Sequence, residues 1–290
     1  DRDRLRAAVK TASRRGASSG PGRDRATARP PVAVFVLGGV GVLFFALPFV
    51  GLLVRAPWSS FGEVLGDEAV RTALWLSLTT SVATTVLAVV IGVPLAWLLA
   101  RSRLPGRSAV RALCTLSMVL PPVVAGVALF LALGRRGVVG RPLDELVGVS
   151  LPFTTASVVL AQLFVAMPFL VLTVEAALRA LDPAREQAAR TLGASSAYVF
   201  WRVTLPSIRP ALVSGLVLTW ARALGEFGAT ITFAGSFPGT TRTVPLATYL
   251  ALENDPDQAI LLSLVLVAVS FAVLIGRRER WVGAAFGARP

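Results

Sequence analysis

Six apolar segments, each about as long as a lipid bilayer is thick, constrain the fold of this chain more than any other feature. They lie at 32–54, 72–100, 110–133, 154–177, 210–233 and 258–276. A helix needs about 20 predominantly apolar residues to span the hydrocarbon core, where irregular backbone exposed to lipid does not occur. The mean hydropathy of +0.70 agrees with this interpretation. The sequence therefore predicts an all-α membrane protein with six transmembrane helices.

The distribution of arginine between the predicted loops orients these helices. One side of the membrane receives twenty-two Lys and Arg residues, in segments 1–30, 101–111, 178–209 and 277–290, and the other side receives six. Basic residues accumulate in cytoplasmic loops, so both termini are predicted to be cytoplasmic. We expect residues 1–30 to be a basic, disordered tail, residues 31–276 a six-span domain, and residues 277–290 a short cytoplasmic tail.

Several absences exclude whole classes of chemistry. The chain has no histidine, and its single cysteine, Cys114, lies in an apolar run. The only lysine, Lys10, follows no glycine-rich loop, so a phosphate-binding loop for ATP is absent. The net charge of +13 comes without a nucleic-acid-binding motif. We expect no catalytic residues, no metal site, no cofactor in this chain and no nucleic-acid partner.

A polar segment between the fourth and fifth apolar runs is too long for a simple connection. It reads LDPAREQAARTLGASSAYVFWRVTLPSIRP from Leu181. Asp182 can cap a helix that Pro183 begins, and Gly193 can end it in a left-handed conformation. A second short helix is predicted to end at Pro206. The segment is either a hairpin at the membrane surface without a partner or a docking element for a soluble protein.

The fifth apolar run contains two charged residues, Arg222 and Glu226, four positions apart on one face of a predicted helix. An unpaired charge in the middle of a membrane span costs at least about 2.5–3.5 kcal/mol, so Arg222 and Glu226 should pair with each other or face water. A structural ion pair is favoured, and a role of Arg222 in an anion path or gate is the alternative. Gly225 and Gly228 should allow a neighbouring backbone to approach the same face.

Six residues of the polar segment resemble the EAA…G…LP motif of the permease subunits of ABC importers. They are Glu186, Ala188, Ala189, Gly193, Leu205 and Pro206, with Gln187 in place of the more usual alanine. The resemblance implies a type I ABC importer permease fold, in which residues 182–206 form coupling helices that fit a groove on a separate ATP-binding subunit.

Two longer stretches make the resemblance more specific. Residues 119–148 and 221–249 are similar to the third and fifth spans, with their outer loops, of molybdate permeases, and sulfate permeases share a looser version. This implies a subunit that moves molybdate, or the closely similar tungstate, across a bacterial cytoplasmic membrane. It also implies a homodimer, two ATP-binding subunits that hold ATP and Mg, and an extracytoplasmic molybdate-binding protein.

Three alternatives remain open on the sequence alone. The first is a permease for sulfate or another oxyanion. The second, an ATP-independent secondary transporter, would need several carboxylates inside the membrane, and only Glu226 and Glu175, near a span end, are present. The third, an intramembrane enzyme, would need a nucleophile with a base or a set of metal ligands.

Overall fold

A computed structural model describes residues 31–102 and 105–275 of the chain. The predictions for the tails at 1–30 and 277–290 therefore lie outside the described residues. Within the described ranges all regular structure is helical and no strand occurs, which confirms the predicted all-α class. The chain divides into two compact units between Gly51 and Leu52.

The described ranges contain thirteen α-helices. They are α1 Val32–Arg55, α2 Phe61–Gly66, α3 Glu68–Arg101, α4 Arg107–Val119, α5 Pro122–Leu133, α6 Gly140–Val147, α7 Thr155–Ala180, α8 Pro183–Thr191, α9 Ser196–Val199, α10 Leu205–Leu224, α11 Gly228–Ala234, α12 Val244–Asn254 and α13 Pro256–Ile275. Helix α1 is apolar along its length, and none of its residues is buried. A single 3-10 turn, Trp58–Ser60, precedes α2.

Five stretches of the described chain are long and apolar enough to cross a membrane. They are α1, α3, α7, the continuous helical stretch Ser196–Leu224, and α13. The longest is α3, with 34 residues, and its first turn is capped by Asp67, whose carboxylate accepts the backbone N–H groups of Ala69 and Val70. Four of the six predicted spans, at 32–54, 72–100, 154–177 and 258–276, thus correspond to single helices.

The third predicted span, 110–133, is not one helix. It is divided into α4 and α5, of 13 and 12 residues, by extended backbone at Leu120 and Pro121. Pro121 and Pro122 cause the break, because proline lacks an N–H and forces the preceding residue out of the helical conformation. Neither half reaches the length of a spanning helix alone. The total of six spans and the cytoplasmic termini therefore stay predictions.

The fifth predicted span, 210–233, also differs from its prediction. Helical structure begins at Ser196, passes through one π-helical turn at Phe200–Thr204 and ends at Leu224, before the short helix α11. The prediction that Pro206 ends a separate second helix is wrong. Pro206 lies in the first turn of α10, directly after the wider π turn, which leaves room for a ring that would clash in a regular helix.

The core of the larger unit forms where α3, α7 and α10 pack against one another. Its buried residues include Ala88, Leu99, Leu170, Val171, Val174, Leu178 and Ile208. Gly92 and Gly215 permit the close approach, since a Cβ atom would lie 3.2 Å from Val171 at the first and 2.9 Å from Leu170 at the second. This packing holds the segment that follows α7 against the ends of α3 and α10.

Candidate functional site

Helix α8 begins as its sequence predicts. The Asp182 carboxylate accepts the backbone N–H of Ala184 at 2.9 Å, and Pro183 occupies the first helical turn, where a missing N–H costs nothing. Glu186 also lies in the first turn, where a carboxylate interacts favourably with the helix dipole. The start of this helix is therefore determined by local interactions.

Gly193 ends the helix in the left-handed conformation, with φ of +86°. Its N–H bonds to the carbonyl of Arg190 at 2.9 Å, and the N–H of Ala194 bonds to that of Ala189 at 3.1 Å. A Cβ added to Gly193 would meet no described atom within 4 Å. Glycine is therefore required here by backbone conformation and not by space.

The two faces of α8 have different surroundings. On the inner face Glu186 is half-buried, and its carboxylate accepts the hydroxyl of Thr204 at 2.8 Å and forms an ion pair with Arg101 at 3.4 Å. The outer face presents Ala184, Ala188 and Leu192, spaced four apart and exposed; the Leu192 side chain is 89% exposed. These three side chains form a small apolar patch among exposed polar residues of the same helix.

The remaining motif residues lie around this helix. Ala189 is half-buried on the inner side of α8, three positions after Glu186. Leu205 packs against the core of α3, α7 and α10, while Pro206 is exposed in the first turn of α10. The structure thus brings Glu186, Ala189 and Leu205 toward the bundle and leaves Ala188, Gly193 and Pro206 at the surface.

Arg222 and Glu226 contact each other, but they do not lie on one continuous helix. Helix α10 ends at Leu224, and Glu226 follows in the break before α11. The Nη1 and Oε2 atoms of the pair are 2.5 Å apart; Glu226 is buried and Arg222 is half-buried. The other carboxylate oxygen accepts the N–H of Ala229 at 2.8 Å. Glu226 therefore joins the end of α10 to the start of α11.

The breaks in the third and fifth predicted spans lie against each other. A Cβ on Gly228, at the start of α11, would lie 2.6 Å from Cβ of Pro122, and one on Gly126 would lie 2.6 Å from Cβ of Thr232. At Gly225, in contrast, the nearest atom is the carbonyl oxygen of Ala221 at 3.6 Å. The close approach of a neighbouring backbone, predicted for both Gly225 and Gly228, thus occurs at Gly228 and not at Gly225.

The sequence interpretation named Glu175 near the end of a span but did not predict its arginine partners. Glu175, 3% exposed in α7, accepts hydrogen bonds from Arg111 of α4 and from Arg179 one turn further along α7, with closest distances of 2.5 and 2.9 Å. The spacing of four between Glu175 and Arg179 was a signal that could have been used. The contact with Arg111 joins residues 64 apart, and no local pattern indicates it.

The interpretation also missed Arg101 and Thr204, the two partners of Glu186. Arg101 is the last residue of α3, and Thr204 is the last residue of the π turn, directly before the LP pair of the motif. Arg101 directly follows the second predicted span, and Thr204 lies within the predicted coupling segment 182–206. Position alone gave no reason to select either residue.

A bundle of long apolar helices with broken spans and an interrupting polar helix–turn–helix defines the class of membrane transport permeases. The chain belongs to the family described as binding-protein-dependent transport system inner membrane component, which it matches over residues 88–283. It is therefore a multi-pass protein of the cytoplasmic membrane and a transport subunit whose ATPase is a separate chain.

Individual relatives are similar over most of their length. The chain is 49% identical over 246 residues to the molybdenum transport system permease protein ModB of Mycobacterium tuberculosis. The aligned residues cover 85% of this chain and 93% of that protein. It is 38% identical over 210 residues to ModB of Escherichia coli K12, covering 72% and 92%. The sulfate transport system permease protein CysW of Synechocystis is 34% identical over 241 residues, covering 82% and 87%.

Solved structures of ABC importers share the fold at low sequence identity. A chain of a bacterial alginate ABC transporter, in complex with a pentasaccharide-bound periplasmic protein, aligns with a TM-score of 0.70 at 19% identity, over 86% of this chain and 94% of that one. A chain of the MetNI methionine ABC transporter aligns with a TM-score of 0.57 at 19% identity, over 75% and 98%. The fold is that of type I ABC importer permeases.

Proposed function

We propose that this chain is the membrane-spanning subunit of an ATP-driven importer that moves molybdate into the cell. The observation that carries the proposal is the 49% identity, over 85% of the chain, to a protein named as a molybdenum transport permease. The sulfate permease relative is less similar, at 34% identity. Tungstate, which resembles molybdate in size and charge, is included in the proposed substrate class.

The proposed complex has two copies of this chain, two ATP-binding subunits and an extracytoplasmic molybdate-binding protein. The absence of a phosphate-binding loop in the sequence supports binding of ATP and Mg by the separate ATPase. The exposed apolar face of α8 supports docking of that subunit at Ala184, Ala188 and Leu192, because burial of apolar area drives association. This docking makes the segment 182–206 the coupling element.

The proposed role of the Arg222–Glu226 pair is to lock the break in the fifth span. Glu226 uses one oxygen for the α11 backbone and the other for Arg222, so its charge is compensated from two directions. A cation engaged in this way does not present a free charge that would trap a dianion in transit. The proposed role of the pair is therefore to stabilise the helices that form the path, and not to bind the anion.

Uptake by the reconstituted complex tests the substrate. The permease is assembled with its ATPase and binding protein in liposomes, and ATP-dependent accumulation of molybdate is measured with tungstate or sulfate as competitor. We expect tungstate to compete strongly and sulfate weakly. Accumulation of sulfate in preference to molybdate would replace the substrate with sulfate, and uptake without the ATPase would replace the ABC importer with a secondary transporter.

A further inference from the structure

The hydroxyl of Thr204 makes a contact that distinguishes it from three other hydroxyls of α7 and α10. Thr173, Ser207 and Ser214 each bond to the carbonyl four residues earlier in their own helix. Thr204 instead donates to Glu186, eighteen residues earlier, at 2.8 Å. The threonine is 2% exposed and Glu186 is half-buried, so the bond is partly shielded from water, and its acceptor is charged.

This bond adds a second connection between α8 and the helix that follows it. The first is the chain itself, which turns at Gly193 and enters the helical stretch at Ser196. With only the chain connection, α8 could rotate about the glycine. The bond from Thr204 to Glu186 restricts this rotation, because it joins the first turn of α8 to the end of the π turn. Helix α8 thereby has a fixed orientation relative to α10, and the two helices move together.

The connection from Glu186 to α3 is weaker. The Nη2 atom of Arg101 lies 3.4 Å from the Glu186 carboxylate and 3.4 Å from the carbonyl of Leu181, near the limit for a hydrogen bond. The Nε atom of Arg101 is buried and has no hydrogen-bond partner among the described residues. A displacement of α8 would therefore break the contact with Arg101 before the contact with Thr204.

We infer that Thr204 is a positioning residue that transmits movement of α8 to the fifth span, while Arg101 is a releasable contact to the second. The inference rests on the proposed function of the segment as the coupling element, and it adds a residue outside the motif. Thr204 itself contacts neither the anion nor the ATPase. It acts through Glu186, so that a displacement of α8 moves α10 instead of rotating α8 about Gly193.

The test uses the complete complex in liposomes and measures anion imported per ATP hydrolysed. Thr204→Val keeps the shape of the side chain and removes the donor, and Thr204→Ser keeps the donor. We expect Thr204→Val to lower the ratio about tenfold, as loss of a bond to a charged acceptor predicts, with hydrolysis retained. Thr204→Ser should restore most of the ratio. Thr173→Val, which removes a bond within one helix, is the matched control.

The outcomes separate this inference from the proposed function. If the wild-type complex imports another anion, the substrate is wrong, and the ratio is measured with that anion. A normal ratio in Thr204→Val, or an equal loss in Thr173→Val, overturns the inference. If Thr204→Val does not assemble, Thr204→Ala, which removes the same donor and leaves Glu186 and Arg101 unchanged, carries the test: a lowered ratio supports the inference and a normal one overturns it. Failure of both variants to assemble assigns the bond to folding and also overturns it.

Discussion

Arg222 and Glu226 contact each other at 2.5 Å across the end of helix α10. Because Glu226 also accepts the N–H of Ala229, the pair holds the chain where the fifth span is broken. A buried carboxylate with an arginine on one side and a helix N-terminus on the other has its charge compensated by both. The relationship explains how two charges can be accommodated within an apolar segment.

Removal of either member of this pair should impair assembly more than removal of both. Arg222→Ala leaves a buried carboxylate with half of its partners, and loss of one partner of a buried pair typically costs about 3–5 kcal/mol. Glu226→Ala should cost at least as much, since α11 also loses its cap. The double variant should recover part of the loss. Thermal unfolding of the purified permease measures all three.

A different result for Arg222→Ala would change the role of the residue. If this variant assembles with the stability of the wild type and loses only anion uptake, Arg222 belongs to the translocation path. Uptake and stability are therefore to be measured on the same preparations.

Gly228 and Gly225 should respond unequally to the same substitution. At Gly228 a Cβ would lie 2.6 Å from Pro122, so Gly228→Ala should destabilise the permease by about 1–3 kcal/mol through overpacking. At Gly225 the nearest atom is 3.6 Å away and φ is −87°, so Gly225→Ala should change stability by less than about 0.5 kcal/mol. Equal losses of thermal stability would show that the two breaks do not pack as described.

The two arginines on Glu175 should contribute unequally to stability. Arg179 is 44% exposed; it bonds to Glu175 within its own helix and donates from Nη2 to the carbonyl of Leu99 in α3 at 3.3 Å, so Arg179→Gln should cost about 1 kcal/mol or less. Arg111 joins α4 to the buried Glu175 of α7 through two nitrogens, so Arg111→Gln should lower stability more than Arg179→Gln does. Denaturation of the two variants in detergent compares them. A larger loss of stability for Arg179→Gln would contradict the assignment of Arg111 as the connection between α4 and α7.

Local patterns predicted the parts of this fold that local physics decides. The apolar lengths located four spans, Asp182 and Pro183 located the start of α8, and Gly193 its end. The third span contains Pro121 and Pro122, yet it was predicted as continuous from its hydropathy. In a bundle, neighbouring helices can satisfy the backbone groups that a break frees, so hydropathy alone cannot separate a kink from a break.

The contacts that join distant residues could not be predicted in this way. Glu186 meets Arg101 and Thr204 only because α3, α7 and α10 pack side by side, and Glu175 meets Arg111 only because α4 packs on α7. Helical spacing relates residues three or four positions apart, and it contains no information about partners 64 or 85 residues away. The π turn that carries Thr204 beside Glu186 had no sequence signal either.

The measurement that tests the central claim most directly is the number of molybdate ions imported per ATP hydrolysed by Gly193→Val, with Gly193→Asn as its matched control. Valine at φ of +86° is strained by about 1–2 kcal/mol, which should re-aim α8, whereas asparagine tolerates this conformation. We expect both variants to insert into the membrane, since the glycine lies outside every predicted span. Gly193→Val should bind the ATPase weakly or hydrolyse ATP without import, and Gly193→Asn should remain coupled. Wild-type coupling in Gly193→Val would contradict the account and leave the segment as a surface hairpin.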